Sequence, residues 1–282
     1  TLLGLKNWRL HAVIFCFTFI LFPIIGVGLK YATIGWLGQG LALGLLYLTL
    51  VPGTVQSSIA FTSVAHGNVA GAIVASSLSN ILGVFLTPLL VMLTMATTGD
   101  VHITGRSILD IFLQILLPFI IGQLLHKYLG PGLNRHPILT KTVDRGTIWI
   151  NVYTAFSQAV VEGVWMRVTA LHLLALVGIC IAVVSLVLVL SWCMAKSLGF
   201  NREDCIAAQF CGSKKSLSSG IAMGAVLFAG STGELSAGIL MLPLMLFHLF
   251  QLLICAVLAG RYGRQWEREH THAHANDQGA AQ

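Results

Sequence analysis

The chain has 282 residues, of which 56% are hydrophobic and 9% charged, and its mean hydropathy is +0.85. A soluble domain carries about a quarter charged residues, so this composition excludes one and points to an integral membrane protein. The net charge of +6 does not signal nucleic-acid binding, because the basic residues fall between apolar spans, where they orient a chain in the bilayer.

Apolar windows of about twenty residues recur along the chain, which excludes a single anchor carrying a soluble head. The first predicted span covers residues 8–29, flanked by Lys6, Arg9 and Lys30, with Pro23 as a kink. The second covers 39–65, and a His66-Gly67-Asn68 turn leads to a third at 69–95. A polar loop with Asp100 and Arg106 precedes the fourth, 108–125, and a basic loop at 127–145 precedes the fifth, 147–165. The sixth covers 171–198, the seventh about 202–230 and the eighth 235–259, leaving a polar tail at 261–282. The tail's His270-Thr271-His272-Ala273-His274 is read as solvated and disordered in preference to a loose metal site. The six cysteines show no CxxC or CxxH spacing, so neither a disulfide frame nor a zinc site is indicated.

Eight spans place alternate loops on opposite sides. Eleven of the sixteen lysines and arginines then collect with the two termini, three lie opposite, and two sit inside the seventh span. That asymmetry predicts a multi-pass inner (plasma) membrane protein with both termini cytoplasmic.

Two spans are interrupted by small, polar, helix-breaking residues. The second carries Pro52-Gly53-Thr54-Val55-Gln56-Ser57-Ser58, and 159 residues later the seventh carries Cys211-Gly212-Ser213-Lys214-Lys215-Ser216. Pro52 lacks a backbone donor and the glycines loosen the helix, so backbone groups come free at membrane depth. Lipid tolerates this only where the break is buried in protein or lines a wet cavity. Matched breaks in two halves of a chain mark the binding site of a secondary transporter.

The same offset carries the first three spans onto the last three, and the odd number of intervening spans inverts one copy relative to the other. The domain reading is therefore a remnant at 1–7, a first repeat at 8–98, two spans opening a second repeat at 107–165, three spans at 171–260 and the tail. Two further spans are expected before residue 1, matching the fourth and fifth.

In the first break Thr54, Gln56, Ser57 and Ser58 offer hydroxyls and an amide, and Ser76 and Asn80 share one face of the third span. Taken singly, each serine reads as helix packing. Clustered at matched breaks, they read as a site. Lys214 and Lys215 are the sharpest signal, because a charge at mid-span is costly and faces a cavity or a partner. Only one of the two adjacent lysines is expected to face the site, and the other to pair with Asp110, Glu162 or Glu234. With half-helix N-termini nearby, an anionic guest is expected. His11, His172 and His248 read as satisfied helix residues. No Gly-x-Ser-x-Gly elbow supports an intramembrane hydrolase, so no catalytic residue is assigned and the chain is not read as an enzyme.

The stretches PGTVQSSIAFTSVAHGNVAGAIVASSLSNILGVFLTPLL and QFCGSKKSLSSGIAMGAVLF resemble the bile acid:sodium symporter family (SBF-like), in particular the branch around member seven of solute carrier family ten and its bacterial relatives. The resemblance implies an all-α polytopic inverted-repeat transporter of five plus five helices, about eight of them in this chain. Two crossing broken helices would form a core domain beside a panel domain. It also implies two sodium sites. At the first, Ser57 and Ser58 match a Ser-Asn pair, Ala72 and Ser76 match hydroxyl ligands, and Phe210 stands where the family has a glutamate. At the second, Ser213 and Lys214 match a Met-Gln pair and Thr18 matches a glutamine. These departures remove the anionic ligand and add two cations. A lysine ammonium in place of a bound sodium suits proton coupling or uniport.

The expected function is secondary transport of a small anionic organic solute by alternating access, with sodium or a proton as the coupling ion and no other cofactor. The alternative is a regulatory membrane protein of the same fold that transports nothing. The solute residues are Thr54, Gln56, Ser57, Ser58, Ser213, Lys214, Lys215 and Ser216. The ion-coupling residues are Thr18, Ser57, Ser58, Ser76, Asn80 and Lys214. Partners are the solute and the lipid bilayer.

Overall fold

The computed structural model describes residues 7–96, 168–228 and 235–280, with isolated positions between 113 and 163. The spans predicted at 108–125 and 147–165 therefore lie largely outside the described residues, and Asp110, Glu162 and Glu234 lie outside them altogether. What is described is helix and the turns between helices.

Helix α1 (Trp8–Cys16), a π-helical segment (Phe17–Leu21) and α2 (Phe22–Leu37) run on as one span of 30 residues. It outruns the predicted 8–29, because no breaker intervenes until Gly38, which takes φ 88°. Lys30, expected in a flanking loop, thus sits inside the helix, buried, with its ammonium 5.4 Å from the Tyr31 ring centre. The irregularity expected at Pro23 is the π segment just before it.

The second span is split into α3 (Gln39–Leu50) and α4 (Gln56–Val64). Helix α5 (Val69–Val91) follows, extended by a π-helical turn (Met92–Ala96), and then α6 (Ala170–Ser197). The second interrupted span is α7 (Arg202–Gly212) and α8 (Leu217–Leu227), and the chain closes with α9 (Ala237–Ala280). Among the described residues four helices are long and apolar enough to cross a membrane: Trp8–Leu37, Val69–Met95, Ala170–Ser197 and Ala237–Glu269. Their outward side chains, among them Ile24, Leu89, Val189 and Leu253, are exposed, as a lipid-facing surface requires.

The tail does not follow the expected disorder. Helix α9 continues through it, held by Arg202, which donates to the Tyr262 carbonyl at 3.0 Å, and by Trp266, whose ring stacks 3.9 Å from that of His66. The side chains of His270, His272 and His274 lie outside the described residues.

The residues from Gly40 to Leu50 are all buried, as an all-round apolar helix should be. The interrupted helices cross by exchanging partners. On one side α3 meets α8, where the Tyr47 hydroxyl donates to the Gly220 carbonyl at 2.6 Å and the Tyr47 and Phe228 rings sit 4.9 Å apart. On the other side α7 meets α4, where Ser58 donates to the Phe210 carbonyl at 3.2 Å and Phe61 and Phe210 are 6.1 Å apart. The breaks come together where these two contacts cross. Gly53 sits at this meeting point, where a Cβ would come into ordinary contact with the Lys214 and Cys211 carbonyls at 3.4 and 3.5 Å.

Candidate functional site

A broken helix leaves carbonyls without donors, and each must find another in an apolar interior. Helix α3 stops because Val51 turns extended (ψ 155°) ahead of Pro52. The Leu50 carbonyl then accepts from the Thr87 hydroxyl at 2.9 Å, and the Pro52 carbonyl from the Ser216 N–H at 2.8 Å. Those of Thr49 and Val51 accept from the Lys215 ammonium at 2.8 and 2.9 Å. The third Lys215 bond, 2.9 Å to the Thr18 carbonyl, has a sequence cause. In the π segment the Phe22 N–H goes to Phe17, and Pro23 has none to give, so Thr18 has no helical donor. All three ammonium protons are thereby used, at the negative end of α3. The Phe22 ring lies 4.2 Å from the charge.

Lys214 is held differently. Its ammonium donates to one carbonyl, that of Ser57 at 2.9 Å, and faces the rings of Phe61 at 3.8 Å and Phe210 at 5.6 Å. Both lysines are fully buried. Their ammonium groups reach backbone carbonyls; the carboxylates suggested as a partner for one of them lie outside the described residues.

Beside the crossing lies a cavity of about 340 Å³, bounded by residues of both breaks together with Asn80, His248 and Leu252. This size falls at the small end of the range for small-molecule sites. Helix α4 begins at Gln56 and α8 at Leu217, so two helix N-termini open on the cavity. Ser216 caps α8 by accepting the Ser219 N–H at 3.3 Å.

The residues singled out in the sequence divide into two groups. Thr54, Gln56, Ser57, Ser216 and Asn80 line the cavity, with Thr54 and Ser57 joined through their hydroxyls at 2.7 Å. Ser58, Ser76, Ser213, Lys214 and Lys215 are buried and do not line it. Ser76 donates to the Cys211 sulfur at 3.4 Å, while the Ser213 hydroxyl has no partner among the described residues. Thr18 contributes its carbonyl, because its hydroxyl bonds back to Ile14 at 2.9 Å. Phe210 fills the expected glutamate position with a buried ring. Ala72 is buried and offers its carbonyl to the Cys211 thiol at 4.0 Å.

Sequence reasoning missed Gln251 and above all His248, read as a satisfied helix residue but found lining the cavity. The available signal was the spacing of His248 and Gln251 one turn apart, on the face of α9 that meets the second break.

Residues 1–264 match the model of the SBF-like CPA transporter family (DUF4137). The chain is 48% identical over 262 residues to the uncharacterized protein PA2026 of Pseudomonas aeruginosa, covering 93% of this chain and 78% of that one. It is 45% identical over 268 residues to YfeH of Escherichia coli (strain K12), named as a candidate symporter, covering 94% and 78%. It is 27% identical over 257 residues to sodium/bile acid cotransporter 7 of Xenopus tropicalis, covering 90% and 74%.

Proposed function

We propose, on the premise that this chain belongs to the SBF-like CPA transporter family, that it carries a small anionic organic solute across the membrane by alternating access around its crossed breaks. The observation behind this reading is the pairing of a hydroxyl-rich cavity with the buried Lys214 ammonium, which is bonded to the carbonyl of the lining residue Ser57. An anion entering the cavity meets donors and positive potential, and no carboxylate among the described lining residues opposes it.

Transport is independent of sodium. One relative is named for sodium and bile acid together, but three carbonyls converging on one point are how a protein replaces the hydration shell of a small cation. Here a tethered ammonium fills that position. A proton is then the coupling ion, or the solute moves by uniport. The eleven-to-three distribution of basic residues supports the inner membrane with cytoplasmic termini. The offset between the breaks supports an inverted duplication of three spans.

The test begins with a thermal-shift screen of metabolites against the purified protein, since a ligand of the native state raises its melting temperature by mass action. Labelled binders are then followed into proteoliposomes. Saturable uptake that persists when choline replaces sodium is expected. Strict sodium dependence, or no flux of any binder, would refute the reading.

A further inference from the structure

Two hydrogen-bond networks meet at the cavity, and each fixes the direction of a donor. In the first, Gln251 is oriented by the main chain of the second break: its Oε1 accepts the Lys215 N–H at 2.8 Å and its Nε2 donates to the Lys215 carbonyl at 2.7 Å. The remaining Nε2 proton points at His248 Nδ1, 2.7 Å away, and this much shorter approach decides the tautomer against the 3.4 Å contact of the same Nδ1 with the Lys215 carbonyl. Two N–H groups cannot approach nose to nose at that distance, so Nδ1 is the bare acceptor and the ring proton sits on Nε2. In the second network Ser216 donates to the Ser219 hydroxyl at 3.1 Å, and that hydroxyl passes its own proton to Asn80 Oδ1 at 3.2 Å. The Asn80 oxygen is thereby turned to Ser219, and its NH2 is left on the other side to donate.

Both residues line the same cavity. Its wall thus holds an imidazole N–H and an amide NH2 whose orientations are set before any solute arrives, with the buried Lys214 ammonium on the carbonyl of the lining residue Ser57. Preoriented donors of this kind suit a group that only accepts hydrogen bonds.

We propose that Asn80 Nδ2 and His248 Nε2 recognise a carboxylate on the transported solute, with Gln251 as the positioning residue that fixes the imidazole tautomer. This rests on reading the cavity as the solute site. The pair favours acceptors: a cation finds no carboxylate in the described wall, and a neutral amide offers the two donors one uncharged oxygen in place of a charged, two-oxygen acceptor.

The experiment uses the full chain in lipid nanodiscs and two readouts. Side-chain nitrogen NMR of the histidine rings, without ligand, is expected to show His248 protonated at Nε2 and bare at Nδ1. The Gln251→Leu variant should release that preference. Thermal shift is then read against acetate, propionate, butyrate and benzoate, each beside its primary amide. The carboxylates should stabilise the wild type and the amides should not. Asn80→Asp keeps the acceptor for Ser219 but loses the donor, and His248→Phe removes the ring N–H. Each should weaken the apparent affinity roughly tenfold or more, while His248→Gln, which keeps a donor, should retain part of it. Where one variant fails to fold, the other carries the comparison. A ring protonated at Nδ1, equal stabilisation by amides, an unchanged affinity in both variants, or no carboxylate stabilising the wild type would each overturn the assignment. Carboxylate binding without flux strikes the transport reading alone, and sodium-independent flux of an anionic solute that both variants leave unchanged strikes this one alone.

Discussion

Ser216 donates its backbone N–H to the carbonyl of Pro52 at 2.8 Å, so the two helix breaks are joined main chain to main chain. Ser216 also caps α8 with its side chain, and the two roles are separable. Ser216→Ala removes the cap alone and should cost about 1 kcal/mol. Ser216→Pro fits the native φ of −84° but also deletes the N–H, leaving the Pro52 carbonyl unsatisfied at a further roughly 1–3 kcal/mol. Thermal unfolding in detergent should rank wild type above Ser216→Ala and Ser216→Ala above Ser216→Pro. Equal melting of the two variants would mean that the break-to-break bond contributes nothing.

The two buried lysines should respond unequally to the same substitution. Lys215→Met strands three carbonyls and should cost at least about 3 kcal/mol. Lys214→Met strands a partner that α4 can also satisfy and removes a desolvated charge, so its cost should be near zero to about 1 kcal/mol. Lys215→Ala leaves room beside the three oxygens, and added methylammonium or sodium should restore part of its melting temperature by occupying them. A Lys215→Ala protein indifferent to both cations would contradict the three-carbonyl account.

Much of this was legible in the chain. Pro52, Gly53 and Gly212 announced the breaks, and the mid-span lysines announced that the second break does work. Where the ammonium groups end was not legible, because a backbone carbonyl carries no residue identity. One of the three carbonyls did leave a trace, since Pro23 five residues after Thr18 removes the donor a π turn would need. The tail misled for a different reason. Its polarity read as disorder, yet Tyr262 and Trp266, one turn apart, both make ring contacts that carry the helix on. His248 looked like a lone histidine because its meaning depends on Gln251 reaching the Lys215 main chain, a contact 36 residues away in sequence.

Close packing at the first break can be tested with a pair of glycines. A Cβ on Gly83 would lie 2.5 Å from the Pro52 Cβ, whereas one on Gly28 would meet nothing within 4 Å. Gly83→Ala should push Pro52 and the break away from α5 and cost about 1–3 kcal/mol. Gly28→Ala, in an exposed turn of α2, should be neutral or stabilise by about 0.5–1 kcal/mol. A melting temperature lowered equally by both would show that helix propensity, and not the Pro52 contact, governs Gly83.

At the entrance to α7 a single carboxylate ties three segments together. Asp204 accepts from Asn7 Nδ2 at 2.7 Å and from Asn68 Nδ2 at 2.6 Å, one oxygen for each. Its own N–H is taken by the Asn201 side chain at 2.8 Å, and the Asn68 N–H reaches the Glu203 carbonyl at 3.0 Å. The start of α1, the α4–α5 turn and the start of α7 therefore share one node. Asp204→Ala loses both charge-assisted bonds and should cost about 2–4 kcal/mol. Asn201→Ala loses only a helix cap and should cost about 1 kcal/mol. Asp204→Asn should fall between them, because one of its two positions becomes an NH2 facing a donor. Because the node fixes the far end of α7, Asp204→Ala should also loosen the Phe210–Ser58 contact, and hydrogen exchange at the α4 amides should accelerate with it. Unchanged α4 exchange in a destabilised Asp204→Ala protein would confine the node's influence to the membrane surface.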